Sequence, residues 1–599
     1  MSEPLFQLAA IAVFGMGAQW LAWRLRLPSI LLLLLSGFLL GPILGWIHPD
    51  ELLGETLFPI VSISVGLILF EGGLTLKLKE LPVNGQVIFR LISIGAVITW
   101  VIASVGAYFI LGFGWPVAIL TGAILIVTGP TVVGPLLRQI RPKGRAGTIL
   151  KWEGILIDPV GAVLAVLVFE VIRLGGVDSV PIYLLSGVLR SLVVGIVFGL
   201  LGAGLLVVLL RRYLIPDHLQ NGVTLLIVIG LFALSDLLAP EGGLLTVTVM
   251  GFALANQPWV PIRHILEFKE NLQVLLLGFL FILLAGRVDL ASLSNAGWNI
   301  VLFLVLLIVV ARPLGVVLST LKTPLTRDER VFLMWMAPRG IVAAAIASIF
   351  AFEMEELGYA EAGALSATVL LVIIGTVIFY GLTAGPVARR LGLAEQDPQG
   401  LLIVGAHPIA RAFAAELNKH NIRTLLLDNN YGNIVESRLE GLEAHYGNAL
   451  SEETLSELDL GGIGRMLALT SNDDINALAV LHFPDVFGRA QVYQLPSSTQ
   501  GGNAAPAHLR GRSLFNSQAT FDQMQELIEA GGSIKSTPLS TTFNYVDYLA
   551  HYEENPPIPL AVISSDSKVQ LFTDDNRPVP KPGQTIVSLV PPESDNGKS

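Results

Sequence analysis

Over 599 residues the chain is 53% hydrophobic and only 14% charged, with a mean hydropathy of +0.67, a balance that excludes an ordinary soluble domain and points to many bilayer crossings. The formal charge of −10 sits wholly in residues 400–599, which hold 13 basic against 23 acidic side chains, while the preceding residues are even at 24 and 24. An acidic soluble end without a basic patch argues against nucleic acid as a partner, and the lack of cysteine removes disulfides and thiolate metal sites.

The first residues, "MSEPLFQLAA", lack the basic n-region and small-residue cleavage site of a signal peptide, so the first apolar segment is expected to be retained. Thirteen apolar runs are long enough to cross about 30 Å of hydrocarbon, at residues 5–22, 27–46, 56–75, 88–111, 115–136, 148–173, 183–210, 219–238, 242–256, 271–287, 298–320, 330–352 and 363–388. Basic residues fall in alternate loops: Arg24 and Arg26, Lys77 and Lys79, Arg138 to Arg145, Arg211 and Arg212, Arg263 and Lys269, Lys322 to Arg330, Arg389 and Arg390. The positive-inside rule then puts the N-terminus outside and the acidic end in the cytoplasm, as an odd number of spans requires. A bacterial inner membrane is the expected location.

The third span ends in "LFEGGLTL", which sets Glu71 near the cytoplasmic end, either solvated at the interface or part of an ion path. The fifth span contains "VTGPTVVGP" (127–135) and the twelfth "MAPRGIV" (336–342). Proline next to glycine breaks a helix, and broken backbone at membrane depth is tolerated only against protein or a water-filled cavity. If spans 1–6 and 8–13 are inverted repeats, the two breaks occupy corresponding members, the sequence pointer to a transporter's midplane site. Thr128, Thr131 and Arg339 lie beside them.

The sixth span, "LKWEGILIDPVGAVLAVLVFE" (150–170), carries Lys151, Glu153 and Asp158 in an apolar run. Lys151 can snorkel to the interface, but intramembrane carboxylates are costly and functional by default. Five residues apart on a helix, Glu153 and Asp158 do not share a face. Pro159 leaves the Ile155 carbonyl without its helical donor, and a carboxylate near a bare carbonyl suits a hard monovalent cation. Burial disfavours the charged form of a carboxylate, so a proton can compete for the same place. Competition at a site that opens alternately to each side is exchange. Glu153 needs a partner, with Arg312 in "ARPLGV" and Arg339 in "APRG" as candidates for a structural ion pair.

The broken fifth span, Glu-x-x-x-x-Asp in the sixth, "FEGGL" in the third, "RPLGV" in the eleventh and "PRG" in the twelfth together resemble the NhaP/sodium–proton-exchanger branch of the monovalent cation:proton antiporters, over residues 5–390. That resemblance implies that Asp158 carries the transported Na⁺ or K⁺, that Thr128 adds an oxygen from the unwound segment, and that Glu153 pairs with Arg312. It also implies a homodimer in which a mobile core slides against a scaffold. Two departures stand out. Gly129 replaces the aspartate of the usual Thr-Asp-Pro, and Ile157 replaces the amide that usually precedes the aspartate, so ion choice does not transfer. One carboxylate exchanging one charge for another predicts electroneutral transport.

After "LAEQDPQG", the segment "GLLIVGAHPIARAFAAEL" reads as a buried strand, a tight turn and an amphipathic helix, and "IRTLLLDNN" as a second strand ending in Asp428. Residues 400–497 resemble the TrkA-N or RCK nucleotide-binding domains, a Rossmann-like α/β fold. Gly405 is in place, but His407 and Ala410 stand where further glycines are usual. The loop either binds NAD(H) or an adenine nucleotide, with Asp428 on the ribose, as a regulatory ligand, or has lost its ligand and serves dimerisation. Residues 498–599 read as a polar linker, a helix near 520–530, short strands and a disordered tail. The expectation is a helical membrane unit over 1–392, followed by a cytoplasmic Rossmann-like domain and a small accessory module. The chain is read as a transporter rather than an enzyme, needing no cofactor for transport. A potassium-efflux antiporter under control of the soluble domain is the nearest alternative. A ligand-gated potassium channel is a further one, although no Thr-Val-Gly-Tyr-Gly filter occurs.

Overall fold

The structure, a computed structural model, describes residues 3–592 except 26, 141, 143, 174–180, 240–241, 261, 288–296, 395–397, 452–453, 456–457, 498–509, 517–518 and 553–555. The C-terminal tail and most of the polar linker thus lie outside the described residues. Two compact units result, residues 1–394 and 395–599.

The first unit is helical. In chain order its main helices are α1 (Pro4–Leu25), α2 (Ser29–Ile43), α3 (Leu57–Leu74), α4 (Leu78–Leu111), α5 (Trp115–Ile124), α6 (Pro130–Ile140), α7 (Ala146–Arg173), α8 (Pro181–Arg211), α9 (Gln220–Leu238), α10 (Gly242–Ala255), α11 (Arg263–Gly286), α12 (Gly297–Ser319), α13 (Arg327–Trp335), α14 (Ile341–Glu356) and α15 (Gly363–Arg390). Every apolar run of the sequence corresponds to one of these, or to a pair at the fifth and twelfth runs. Among the described residues, eight helices are long and apolar enough to cross a membrane by length and composition, and four apolar helices are shorter. Large apolar side chains face outward, Trp20, Trp23, Phe89, Phe109 and Leu237 among them, as lipid-facing helices require. Glycines let helices approach backbone to backbone. A Cβ on Gly37 of α2 would lie 2.5 Å from the Ile282 carbonyl oxygen of α11, and one on Gly73 of α3 would lie 2.6 Å from the Thr248 carbonyl oxygen of α10.

The second unit opens with an all-parallel six-stranded sheet, β1 (Gly400–Val404), β2 (Thr424–Asp428), β3 (Glu443–Tyr446), β4 (Ile463–Ala468), β5 (Val492–Gln494) and β6 (Arg512–Ser513), in the order β3-β2-β1-β4-β5-β6. This is the doubly wound order that places a crevice where the strand sequence reverses, between β1 and β4. The central strands are continuous apolar runs because helices cover both faces; all five residues of β1 are buried. A four-stranded antiparallel sheet follows, β7 (Ser533–Pro538), β8 (Ile558–Ile563), β9 (Val569–Leu571) and β10 (Thr585–Val590), in the order β7-β10-β8-β9. The helix Phe521–Glu529 lies between the two sheets in sequence. The second sheet shares one core with the helix Pro408–Lys419: Phe413 and Leu417 pack in the same cluster as Ile534, Leu560 and Val587.

Candidate functional site

Both predicted breaks exist. Helix α5 stops at Ile124 and α6 starts at Pro130; α13 stops at Trp335 and α14 starts at Ile341. The two extended stretches cross at Gly129 and Gly340, whose backbones meet so closely that a Cβ on either would collide with the other. The C-terminal ends of α5 and α13 form the negative ends of two dipoles, and α5 runs out in weak turn bonds from the Ile126 and Val127 N–H groups to the Ala123 and Ile124 carbonyls, both at 3.4 Å. Each end receives an arginine. The Arg339 guanidinium donates to the Ile126 and Val127 carbonyls at 3.3 and 3.4 Å, and its backbone N–H donates to Thr376 Oγ1 at 3.2 Å. Arg312 Nε donates to the Leu333 carbonyl at 2.9 Å.

Helix α7 runs unbroken through Pro159. Gly154, Asp158 and Gly161 fall at i, i+4 and i+7, one stripe of the helix, and that stripe faces the break: Gly154 lies against Thr128 and Pro130, and Gly161 against Ile126 and Val127. Asp158 therefore points toward the crossing. Its side chain is 0% exposed, and neither carboxylate oxygen accepts a hydrogen bond from any described residue. Thr131 Oγ1 is likewise buried without a partner among the described residues, and Thr128 is buried in the unwound segment. A buried carboxylate with no donor is expensive unless a proton or a cation accompanies it. Among the described residues no group of three or more His, Asp or Glu side chains could hold a metal ion. One carboxylate with hydroxyl and carbonyl oxygens suits a singly charged hard cation better than a polyvalent one.

Glu153, on another face of α7, forms a two-pronged ion pair with Arg312. Nη2 donates to Oε2 at 2.9 Å, Nη1 donates to Oε1, and both side chains are buried. Of the two candidate arginines, Arg312 is thus the one that pairs, while Arg339 serves the helix end. A small polar cavity is lined by Thr99, Thr128, Glu153, Arg312 and Arg339. Glu71 is buried rather than solvated, and it lines a different cavity with Asn221, Thr224 and Gln273. Lys151, at the end of α7, donates to Glu80 Oε1 at 2.9 Å. The Gly129–Gly340 contact and the role of Thr376 were not foreseen. The glycine of "PRG" was visible, but only the fold shows what it meets, and Thr376 has no signature in its apolar run.

In the second unit Gly405 takes φ +106°, a conformation glycine permits, and turns the chain from β1 into the helix Pro408–Lys419. The loop is filled by its own side chains. Asp428 Oδ2 accepts from the Ala406 N–H at 2.8 Å and from Asn433 Nδ2 at 2.9 Å, and its Oδ1 accepts from the Asn430 N–H at 2.9 Å. His407 Nε2 bonds the Leu469 carbonyl, its ring meets Phe521 edge-on with centroids 4.8 Å apart, and burial pushes the imidazole below its ordinary value. Pro408 has no N–H to offer, and Ala410 is buried in the helix. So folded, the His407 ring, held by Leu469 and Phe521, fills space at the start of this helix that a pyrophosphate would need.

The family model of the transmembrane sodium/hydrogen exchanger matches residues 9–390, and that of the TrkA-N domain matches residues 401–497. The Na(+)/H(+) antiporter 1 of Methanocaldococcus jannaschii is 26% identical over 359 residues, which span 58% of this chain and 83% of that protein. The K(+)/H(+) antiporter NhaP of Alkalimonas amylolytica is 26% identical over 397 residues, 66% of this chain and 67% of that protein. The solved structure of the sodium proton antiporter MjNhaP1 from Methanocaldococcus jannaschii is similar with a TM-score of 0.57 at 25% identity, over 65% of this chain and 98% of that one. With its paired broken helices and its parallel-sheet unit, the chain belongs to the sodium/hydrogen exchanger family and carries a TrkA-N domain after the membrane unit.

Proposed function

We propose that this chain exchanges a monovalent cation, Na⁺ or K⁺, for a proton across a membrane, with both ions competing for Asp158 as the site opens alternately to each side. The observation that carries the reading is the carboxylate of Asp158, fully buried beside the Gly129–Gly340 crossing and unpartnered among the described residues. Thr128 and Thr131 supply further oxygens to the cation. Glu153 and Arg312 tie α7 to α12, and Arg339 neutralises the end of α5. Because proton and cation share the one carboxylate of Asp158, one proton exchanges for one monovalent cation and net charge does not move. Thirteen crossings, an external N-terminus, a cytoplasmic C-terminal unit, a bacterial inner membrane and a homodimer with a core sliding on a scaffold belong to the same proposal.

The TrkA-N unit is proposed as the regulatory part. Its self-filled loop favours a platform role over bound dinucleotide; NAD(H) or an adenine nucleotide could be the regulatory ligand only after His407 leaves Leu469 and Phe521. The test of exchange is dequenching of a pH-gradient dye in everted vesicles on addition of Na⁺, K⁺ or Li⁺. Wild type should dequench without sensitivity to membrane voltage, and Asp158→Asn should not. Cation current without proton counterflow would favour a channel instead.

A further inference from the structure

Glycine contacts and polar bonds sort the membrane helices into two bodies. In the first, α3, α8 and α10 pack backbone to backbone: a Cβ on Gly73 or on Gly199 would lie 2.6 Å from the Thr248 or 2.7 Å from the Thr246 carbonyl oxygen of α10, respectively. The second holds α4, α5, α7 and α12. A Cβ on Gly122 of α5 would lie 2.7 Å from the Trp100 carbonyl oxygen of α4, Gly161 sets α7 against the fifth-span break, and Glu153 ties α7 to Arg312 of α12. Glu80, in the first turn of α4, accepts from Lys151 Nζ at 2.9 Å and from Trp152 Nε1, which joins the start of α4 to α7. Across the seam the bodies meet through side chains: Ile155 of α7 packs on Gly72 of α3, and the buried Trp152 ring meets Phe252 of α10 edge-on with centroids 5.9 Å apart.

The chain passes from the first body to the second between Leu74 and Leu78, through residues 75–77. So few residues reach at most about 11 Å when extended, and these are turned instead, with the Thr75 and Leu76 N–H groups donating to the Gly72 and Gly73 carbonyls at 2.9 and 3.1 Å. The tether keeps the first turn of α4 beside the end of α3 wherever the rest of the second body moves. One side chain grips it. Asn256, which directly follows α10, donates through Nδ2 to the Leu76 carbonyl at 2.8 Å and to the Phe252 carbonyl of its own helix at 2.7 Å, and its Oδ1 accepts from the Leu78 N–H at 2.7 Å. Its amide thus binds the crossing on both sides of Lys77, as a neighbouring strand would, while the bond to Phe252 fixes the amide itself to the first body. From the second body Lys151 donates to the Thr75 carbonyl at 3.2 Å, a bond that so long a side chain can keep by changing rotamer.

We propose that Asn256 is the pin of a hinge, a positioning residue that holds residues 76–78 on α10 in both positions of the second body, so that α4 and α7 turn about this point while the seam at Gly72 and Ile155 slides. Hinges of this kind place the motion in a few residues at the end of an element. The inference rests on the exchange reading of Asp158. Since the chain has no cysteine, paired cysteines in proteoliposomes can be bridged by a short, reducible bifunctional thiol reagent. In Asn256→Cys/Leu78→Cys the bridge replaces the pin, and exchange should continue at or above its unbridged rate. In Gly72→Cys/Ile155→Cys the bridge spans the seam, and exchange should stop on bridging and return on reduction. Exchange stopped by the hinge bridge, or continuing through the seam bridge, overturns the pin. Independently, Asn256→Ala should lower the maximal rate about fivefold, a modest coupling on the usual scale, while equilibrium cation binding changes less than twofold. Asn256→Asp, which keeps an acceptor for the Leu78 N–H, should fall between Asn256→Ala and wild type. An unchanged rate in Asn256→Ala, or a parallel loss of binding, also overturns the pin. Wild-type liposomes that exchange nothing would sink the exchange reading itself, whereas normal wild-type exchange with either bridge behaving in the opposite way sinks the pin alone.

Discussion

The Glu153–Arg312 pair separates a structural carboxylate from a transporting one by a double-mutant cycle. Replacing Arg312 with methionine strands a buried carboxylate, and replacing Glu153 with leucine strands a buried guanidinium; breaking a buried pair from one side costs about 3–5 kcal/mol. The two side chains are 8% and 6% exposed, so solvent screening offers little relief. Arg312→Met also gives up the bond to the Leu333 carbonyl, about 1 kcal/mol more. The double replacement removes both charges and their desolvation together, and such swaps lie between neutral and about 1–4 kcal/mol stabilising. Thermal unfolding of detergent-purified protein should show both single variants clearly destabilised and the double variant restored. Exchange should survive in the double variant, since Asp158 is untouched. A double variant of normal stability that exchanges nothing would put Glu153 in the ion path, and unaltered single variants would show that the pair does not tie α7 to α12.

Gly129→Ala and Gly340→Ala each force a methyl into the crossing, and overpacking of about 1–3 kcal/mol or more should abolish exchange with a lowered melting temperature; restoring the usual aspartate at 129 should do the same. Arg339→Lys should keep more exchange than Arg339→Ala, because the charge at the end of α5 persists although the fork does not; equal loss in both would point to geometry rather than charge. His407 is held below the ordinary imidazole value by burial, so the unfolded unit binds the proton more readily than the folded one. Its contribution is then complete at neutral pH and lost as pH falls through the ordinary imidazole range. Hydrogen exchange over residues 400–592, corrected for intrinsic rates, should show weaker protection at pH 5 than at pH 7, with a smaller difference in His407→Gln. Calorimetric titration with NADH, ATP and AMP should give no heat for wild type; binding by wild type would show that His407 moves aside.

Much of the membrane site was legible because its signals are local. Proline beside glycine marks a broken helix wherever it occurs, and an aspartate in a run of aliphatic residues is conspicuous. The i, i+4, i+7 stripe of Gly154, Asp158 and Gly161 could also have been read from spacing alone. What spacing does not carry is which distant backbone a glycine meets, so the Gly129–Gly340 contact emerged only from the fold. The choice of Arg312 over Arg339 for Glu153 is likewise a matter of tertiary position. In the second unit the apolar runs of β1 and β2 announced themselves, whereas β6 and the polar β7, "SIKSTP", follow from pairing with neighbours rather than from composition. The filled loop was half visible: His407 in place of a glycine showed that something departed, but not that Leu469 and Phe521 would hold the ring.

Exchange at Asp158 requires proton and cation to exclude one another at a single carboxylate. The most direct measurement is calorimetric cation binding to the purified protein in buffers of different ionisation enthalpy, which counts protons released per ion bound. One proton released per cation near the pH of half-occupancy, vanishing in Asp158→Asn, is the predicted result. Cation binding at full strength with no proton release would contradict it.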